Sequence, residues 1–504
     1  MKEVLVLRKA RTFNKWFSTD HLMGDIKRRS VKGGLSTVFS QLLSFGMTLI
    51  STYVMARLVA PESFGLVAMV TAFSGFLLIF KDLGFTTAVI QRSEITQRQV
   101  STLFWLNLLI SFILGLVIAG AAPLLVSFYR EPRLLYITFA FSVMFFLAGF
   151  GLQHTALLKR QMQFTRLSTI HIVSTAVSIG VGVVMALNDF DYWALVGIPF
   201  SYTLVHDVLL WFYCDWRPSF YFRFSGVRSI MRFGAGITGF DIVNYFSRNA
   251  DNMLIGRYFG STALGLYSKS YQLLMLPITN LRDPMNAVAL PALSSLKGQR
   301  SKYREFYARY NFILAFFSMP LVIFLLVFSE EIISIILGEQ WLDAARIFQL
   351  LAIPALIQPV AGTRGVVLIS LGYVRRYFIW GLVNAVATVG AFLVGMSWGV
   401  DGMVIAYAVV NYILLIPSLI YCFAGSPISV SLFFREISLP LILSLFAGMV
   451  CFLFKESFPD LHPFILLATG TLIGAACYLI PWSFTRHSRN RFKQIIEVKQ
   501  FIGK

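Results

Sequence analysis

Fourteen apolar runs follow one another along this chain, separated by loops too short to hold a soluble domain. They fall at about 33–56, 63–80, 102–122, 134–155, 167–187, 192–213, 233–256, 264–283, 307–328, 346–371, 377–397, 402–423, 437–454 and 462–481. Each is near the roughly 20 residues that an α-helix needs to cross a ~30 Å hydrocarbon layer. With 57% hydrophobic and only 13% charged residues over 504 positions, a soluble fold of this size is excluded. The expectation is an all-α polytopic membrane protein with about 14 transmembrane helices.

A net charge of +19 would suggest nucleic acid, but its distribution does not. If the spans alternate from a cytoplasmic N-terminus, the inside segments hold 33 Lys and Arg and the outside loops 6, with Arg248, Lys269, Arg282 and Arg364 left within spans. That asymmetry follows the positive-inside rule, so both termini are expected in the cytoplasm and no nucleic-acid partner is needed. Residues 1–32 do not read as a cleavable signal peptide, because the first long apolar run begins after Lys32 and then spans. Their basic residues, with Phe13, Trp16 and Phe17 between, suggest a segment lying on anionic lipid; a basic tail that fixes topology is the alternative. Cys214, Cys422, Cys451 and Cys477 have no CxxC spacing and read as packing thiols.

The spans contain an internal repeat. At a constant offset of 200, MARLVAPESFGLV (55–67) overlies IGRYFGSTALGLY (255–267), placing Arg57 on Arg257 and Gly65 on Gly265. The same offset puts Gln41, Ser44, Thr48 and Ser51 on Asp241, Asn244, Arg248 and Asp251, a set at i, i+3, i+7 and i+10 that shares one helix face. Six spans separate the copies, so both cross in the same direction, as copies related by an axis along the membrane normal do. The expected division is a basic arm (1–32), a six-helix bundle (33–213), a linker (214–232), a second six-helix bundle (233–423), an appended pair of helices (424–482) and a basic tail (483–504), with the parallel-repeat bundles facing a central cavity.

Charge at membrane depth costs roughly 2.5–3.5 kcal/mol per residue even on the lenient insertion scale. Such residues therefore point to water, a partner or polar cargo. The eighth span adds Lys269, Gln272, Thr279, Asp283 and Asn286 on one face, with Arg282 beside them, and Pro277, Pro284 and Pro291 should kink or end it. In the tenth span Pro354 and Pro359 precede Thr363 and Arg364. The functional reading is a wet cationic cavity in which Arg248, Lys269, Arg282 and Arg364 meet an anionic headgroup, Arg being suited to bidentate phosphate pairing. Asp241 and Asp251 would then limit the hold on the anion or take up a coupling cation. The competing reading is internal pairing, Arg248 with Asp251 and Arg282 with Asp283. His206 and Asp207 could carry a coupling proton, although His154, His171 and His206 also read as packing or interfacial histidines. No metal-ligand spacing, P-loop or nucleophile elbow occurs.

ARLVAPESFGLVAMV (56–70), DLGFTTAVIQR (82–92) and DNMLIGRYFGSTALGLYSKSYQL (251–273) resemble segments of the bacterial polysaccharide flippases, the Wzx-like branch of the multidrug/oligosaccharidyl-lipid/polysaccharide exporter superfamily. The resemblance runs from about residue 31 to 425. It implies a flippase that moves undecaprenyl-pyrophosphate-linked oligosaccharide units across the bacterial cytoplasmic membrane by alternating access, for exopolysaccharide or O-antigen synthesis. Implied partners are that lipid-linked substrate, membrane lipids, and a polymerase and other assembly proteins. No cofactor is implied beyond coupling to an H+ or Na+ gradient, and no enzymatic activity. Arg248, Lys269, Arg282 and Arg364 are the positions available to hold pyrophosphate, and Asn244, Gln41, Ser44 and Thr48 are expected in the same pyrophosphate and sugar cavity. The rivals are a multidrug exporter of the same fold, which should present carboxylates to a cationic drug, an integral-membrane polysaccharide-assembly enzyme, which should carry a larger extramembrane domain, and a scaffold for the assembly machinery.

Overall fold

A computed structural model of the chain describes residues 16–18, 25–82, 84–92, 94–220 and 228–484, the side chains at 26, 27, 79, 228–244, 246 and 247 excepted. Among these residues every regular element is a helix. Nine helical stretches are long and apolar enough to cross a bilayer, ten if one bent pair counts as a single span. One of the nine, residues 374–423, is 50 residues long and is broken at Gly399, where φ is +78°. It therefore holds the length of two crossings.

The chain forms two compact units, Met1–Gly265 and Leu266–Lys504. The first contains α1 (Ile26–Leu58), α2 (Pro61–Leu77), α3 (Phe85–Gln91), α4 (Gln97–Tyr129), α5 (Leu134–Leu147), α6 (Leu152–Arg160), α7 (Phe164–Leu187) and α8 (Tyr192–Tyr213). Small residues set its helix spacing, as expected where lipid tails remove the hydrophobic drive between helices. A Cβ on Gly33 of α1 would lie 2.7 Å from the Phe164 ring of α7, and one on Gly182 of α7 would lie 2.4 Å from Ile198 of α8. At one end of the unit, Trp16, Phe85, Val89, Phe104, Leu157, Leu210 and Trp216 form a buried core. Arg160 is buried there, and its guanidinium donates to the Val89 and Phe17 carbonyls (both 2.9 Å) and to that of Arg92. Gln161 Nε2 donates to the carbonyls of Trp16 and Ser18, each at 3.1 Å. Trp16 thus does not lie on lipid as its sequence context suggests. Two side chains from the α6 terminus hold its backbone against protein.

The helix that follows, α9 (Arg228–Ser295), passes from the first unit into the second. Its one non-helical residue is Gly260 (φ +86°, ψ −178°), a conformation closed to residues with a Cβ. Two long arms meet there, where the sequence places the seventh and eighth spans. Pro277, Pro284 and Pro291 do not end the second arm, which stays helical to Ser295. Their spacing of seven puts all three rings on one face, so each removes a single ladder bond and intact turns lie between. Pro284 and Pro291 are exposed, which spares the rings a packing clash.

Within the first unit, α2 crosses the stretch 245–265 of α9 at very close range. A Cβ on Gly65 would lie 1.8 Å from the Ser261 carbonyl oxygen, and one on Gly265 would lie 1.9 Å from that of Pro61. Tyr245 Oη donates to the carbonyls of Thr71 and Ala72 further along α2, at 3.1 and 3.0 Å. Gly65 and Gly265 are equivalent in the offset-200 alignment, as are Pro61 and Ser261, so the contact is reciprocal in the manner of a twofold interface.

The second unit continues with α10 (Arg300–Val327), α11 (Ser329–Ile336), α12 (Asp343–Ala355), α13 (Gln358–Ala361), α14 (Thr363–Leu371), α15 (Val374–Gly395), α16 (Gly399–Phe423), α17 (Val430–Ser457) and α18 (Pro463–Leu479). The stretch α12–α14 is the span that Pro354 and Pro359 were expected to break, and it is broken. The last two helices pack on α10 through Phe312, Phe316, Ala447, Tyr478 and Trp482. Large apolar side chains such as Leu116, Leu124, Phe212, Val386, Ile413 and Leu472 are exposed on helices of both units. In a membrane these surfaces face acyl chains.

Candidate functional site

In the second unit, the breaks around α13 place Arg364 on the first turn of α14. Its Nη1 donates to Ser418 Oγ of α16 at 2.8 Å, and its guanidinium lies 5.8 Å from the Trp380 ring of α15. Among the described residues it forms no ion pair. Arg282 is different: its Nη2 is 2.9 Å from Asp283 Oδ1, the internal pairing that the sequence left open. Lys269 Nζ donates to Gln272 Oε1 at 2.9 Å, and Thr279 donates back to the Met275 carbonyl.

A row of tyrosines that the sequence reading overlooked links these groups. Tyr303, Tyr307 and Tyr310 sit at i, i+4 and i+7 on α10 and are buried. Tyr310 bonds Asn286 and feels the charge of Arg282. Tyr307 bonds Thr363, the residue before Arg364, at 2.9 Å, and Tyr303 bonds Ser370 at 2.7 Å. The three hydroxyls therefore bond α9 and α14, the helices that carry Arg282 and Arg364. The periodicity was visible, but tyrosine in an apolar run reads as core until a partner hydroxyl is located.

In the first unit, Gln41 is exposed and Ser44 and Thr48 are half-buried on α1. Thr48 Oγ1 donates to the Ser44 carbonyl at 2.8 Å. Arg248 is exposed and pairs with no described carboxylate, so the Arg248–Asp251 pairing considered from sequence is not formed. Asp251 is buried, and its Oδ1 accepts from the Asn252 amide at 2.8 Å. The side chains of Asp241 and Asn244 lie outside the described residues. Arg57 and Arg257, equivalent in the repeat, each stack on an aromatic ring, Tyr53 at 3.8 Å and Phe128 at 5.6 Å.

The histidines divide into two kinds. His154 is fully buried, its Nδ1 3.1 Å from the Phe150 carbonyl and its ring 4.7 Å from that of Trp211, the packing role weighed from sequence. His171 and His206 belong instead to a polar group with Tyr202 and Asp207. His171 Nδ1 is 2.9 Å from Tyr202 Oη, the Tyr202 and His206 rings stack at 5.3 Å, and His206 Nδ1 is 3.6 Å from Asp207 Oδ1. Cys214, Cys422 and Cys451 are buried free thiols, and Cys477 is half-buried. Among the described residues no three His, Cys, Asp or Glu side chains could hold a metal ion.

Comparison with known proteins gives this arrangement of polar groups within apolar spans a family. A sequence profile of the polysaccharide biosynthesis protein family matches residues 54–346, more than half of the chain. The chain belongs to this family. It is 30% identical to the teichuronic acid biosynthesis protein TuaB of Bacillus subtilis over 416 residues, 80% of this chain and 85% of that protein. It is 25% identical to the succinoglycan biosynthesis transport protein ExoT of Rhizobium meliloti, over 90% of this chain and 92% of that one. Among solved structures it resembles the lipid II flippase MurJ in an inward closed conformation, with a TM-score of 0.70 and 13% identity, covering 94% of this chain and all of that one. That likeness shows the fold. The family member described here is a multi-pass membrane protein with the architecture of the multidrug/oligosaccharidyl-lipid/polysaccharide exporters.

Proposed function

We propose that this chain is a flippase that carries undecaprenyl-pyrophosphate-linked oligosaccharide units from the cytoplasmic to the outer leaflet of a bacterial cytoplasmic membrane, without chemical change to the cargo. The observation that carries the reading is Arg364, a guanidinium inside a broken span with a hydroxyl and an aromatic face for neighbours but no described carboxylate. A half-buried cation within a span, without a described counter-ion, is costly, and an anionic cargo repays that cost on binding. Its relatives, named for teichuronic acid biosynthesis and for succinoglycan biosynthesis transport, support the same cargo class.

The steps follow from the physics of the cargo. Pyrophosphate and sugars cannot cross hydrocarbon bare, because charge and unpaired hydroxyls each cost several kcal/mol there. In the second unit Arg364 supplies a cationic contact; in the first, exposed Arg248 supplies its own. Arg282 is already neutralised by Asp283, so it engages phosphate by exchanging one anion for another, which limits the hold and permits release. Gln41, Ser44 and Thr48 offer uncharged hydrogen-bond partners suited to sugars. The lipid tail stays in the bilayer, and both termini lie in the cytoplasm.

Headgroup accessibility in proteoliposomes tests the reading. The purified chain should expose lipid-linked oligosaccharide from the inner leaflet to an added glycan-cleaving enzyme, and Arg364→Ala should slow this at least tenfold. Transport of an organic cation in place of the oligosaccharide, with no headgroup movement, would refute it.

A further inference from the structure

The hydroxyls around Arg364 in the second unit are bonded in a fixed direction. Thr363, Ser370 and Ser418 are buried, and each gives its single hydroxyl proton to a carbonyl three residues back along the chain. Thr363 donates to Val360 at 2.6 Å, Ser370 to Val367 at 3.0 Å and Ser418 to Leu415 at 2.6 Å. Their oxygens are then left to accept. Tyr307 therefore donates to Thr363, Tyr303 donates to Ser370, and the Arg364 guanidinium donates to Ser418.

The helix these bonds hold, α14, is nine residues long and is set off from its neighbours at both ends. Gly362 separates it from the four-residue α13, and Gly372, in the left-handed region at φ +81°, ends it. Thr363 is its first residue and Ser370 its last but one, so the two stand seven positions apart on one face. Both meet tyrosines a turn apart on α10, which fastens that face at each end. Arg364 follows Thr363 and projects about 100° further round the helix, toward Ser418 of α16 and Trp380 of α15. The third tyrosine, Tyr310, donates to Asn286 and ties α10 to α9.

We propose that Tyr307, with Tyr303 at the far end of the segment, is a positioning residue for cargo binding: its hydroxyl fixes the roll of α14 and so the direction in which Arg364 presents its guanidinium. Neither tyrosine touches the anion. A short helix between two glycines can turn about its ends, and hinges of this kind sit at the termini of elements. Two parallel N–H···O bonds to a phosphate demand a defined guanidinium plane. The roll of α14 therefore decides whether Arg364 grips with two bonds or with one. Packing alone does not account for the arrangement, because the tyrosine rings would fill the same core without their hydroxyls, whereas each hydroxyl is aimed at an oxygen of α14. The inference deepens the flippase reading and rests on it for the identity of the anion.

The test uses the full-length protein in lipid nanodiscs and reads its affinity for farnesyl pyrophosphate, a soluble isoprenyl pyrophosphate, by titration calorimetry. Tyr307→Phe and Thr363→Val should each weaken binding about fivefold, the worth of one hydrogen bond. The double variant should lose no more than either single one, since both remove the same bond. Thr363→Ser keeps the accepting oxygen and should bind as the wild type does. Tyr478→Phe removes another buried tyrosine hydroxyl of the same unit, the donor to the Phe316 carbonyl at 2.8 Å, and should leave the affinity unchanged. Wild-type affinity in Tyr307→Phe, additive losses in the double variant, or an equal loss in Tyr478→Phe overturns the proposal. Hydrogen exchange without ligand reads the segment itself: Tyr307→Phe should speed exchange at 363–371 and not at 430–457, and unchanged exchange at 363–371 also overturns it. If the wild type binds no farnesyl pyrophosphate, the flippase reading loses its anion site, while the exchange result still decides whether the tyrosines hold α14.

Discussion

Substituting alanine for Gly65 tests the closest helix contact in the first unit. The new Cβ would lie 1.8 Å from the Ser261 oxygen, 2.5 Å from its carbonyl carbon and 2.9 Å from its Cα, all backbone atoms that no rotamer change can move. A tolerable carbon–oxygen contact is roughly 3.3 Å, so the helices must part by about 1.5 Å. Overpacking of this kind costs about 1–3 kcal/mol, and a gap of that width forfeits a large part of the dispersion contact around Leu66, Met69 and Leu264. Alanine returns up to about 1 kcal/mol through helix propensity. The net loss is about 2 kcal/mol, which for a unit of this size lowers the unfolding temperature by roughly 4–8 °C. Gly34→Ala and Gly46→Ala are the controls, because nothing lies within 4 Å of a Cβ at either position; both should be neutral or slightly stabilising. Gly65→Ala combined with Gly265→Ala should cost less than the two singly, since one separation relieves both clashes. Thermal unfolding in detergent, followed by tryptophan fluorescence, reads all five variants, Gly265→Ala alone included. A Gly65→Ala protein that unfolds with the wild type, or a strictly additive double variant, refutes the close crossing.

The remaining predictions are more local. Arg248→Ala and Arg364→Ala should insert normally yet make cells accumulate lipid-linked oligosaccharide facing the cytoplasm; normal surface polymer in both counts against the cationic site. Arg364→Lys should recover only part of the translocation rate, because a point charge cannot reproduce a bidentate fork. Arg160→Met should cost on the order of 3 kcal/mol by leaving buried carbonyls of Val89 and Phe17 without donors, read as faster proteolysis at residues 92–97. In the α4–α5 loop, hydrogen bonds from Arg133 hold the Glu131 carboxyl below the usual carboxylate range. A depressed value means that this contribution is complete above the ordinary Glu titration and fades as pH falls through the lowered one. Unfolding temperatures should therefore separate wild type from Arg133→Gln at neutral pH and converge in acid; a constant difference across pH would show that the pair contributes nothing.

Much of the architecture was legible because hydrocarbon leaves a chain little choice. Runs of this length must be helical, and the span broken by Pro354 and Pro359 breaks where those residues lie. Polar side chains inside apolar runs announce themselves, so Arg364, Arg282 and Asp207 could be singled out from one dimension. What each of them touches could not. Arg282 sits beside Asp283 in sequence and pairs with it, yet Arg248, three residues from Asp251, pairs with no described carboxylate. The prolines of the second arm of α9 looked like breakers, but Pro284 and Pro291 are exposed and the helix continues.

Sequence by itself determined the helical class, the number of polar groups at membrane depth and their spacing along each helix, because period and hydropathy are properties of neighbours in the chain. Only the tertiary structure decided that Tyr303, Tyr307 and Tyr310 reach hydroxyls and amides on other helices, that Gly65 and Gly265 meet reciprocally, and that Asp207 lies against Gly151 at the joint of a bent span. Those are contacts between residues as far apart in the chain as Pro61 and Gly265. They depend on which helix faces pack together, a choice made by the fit of glycines, rings and carbonyls across several helices at once.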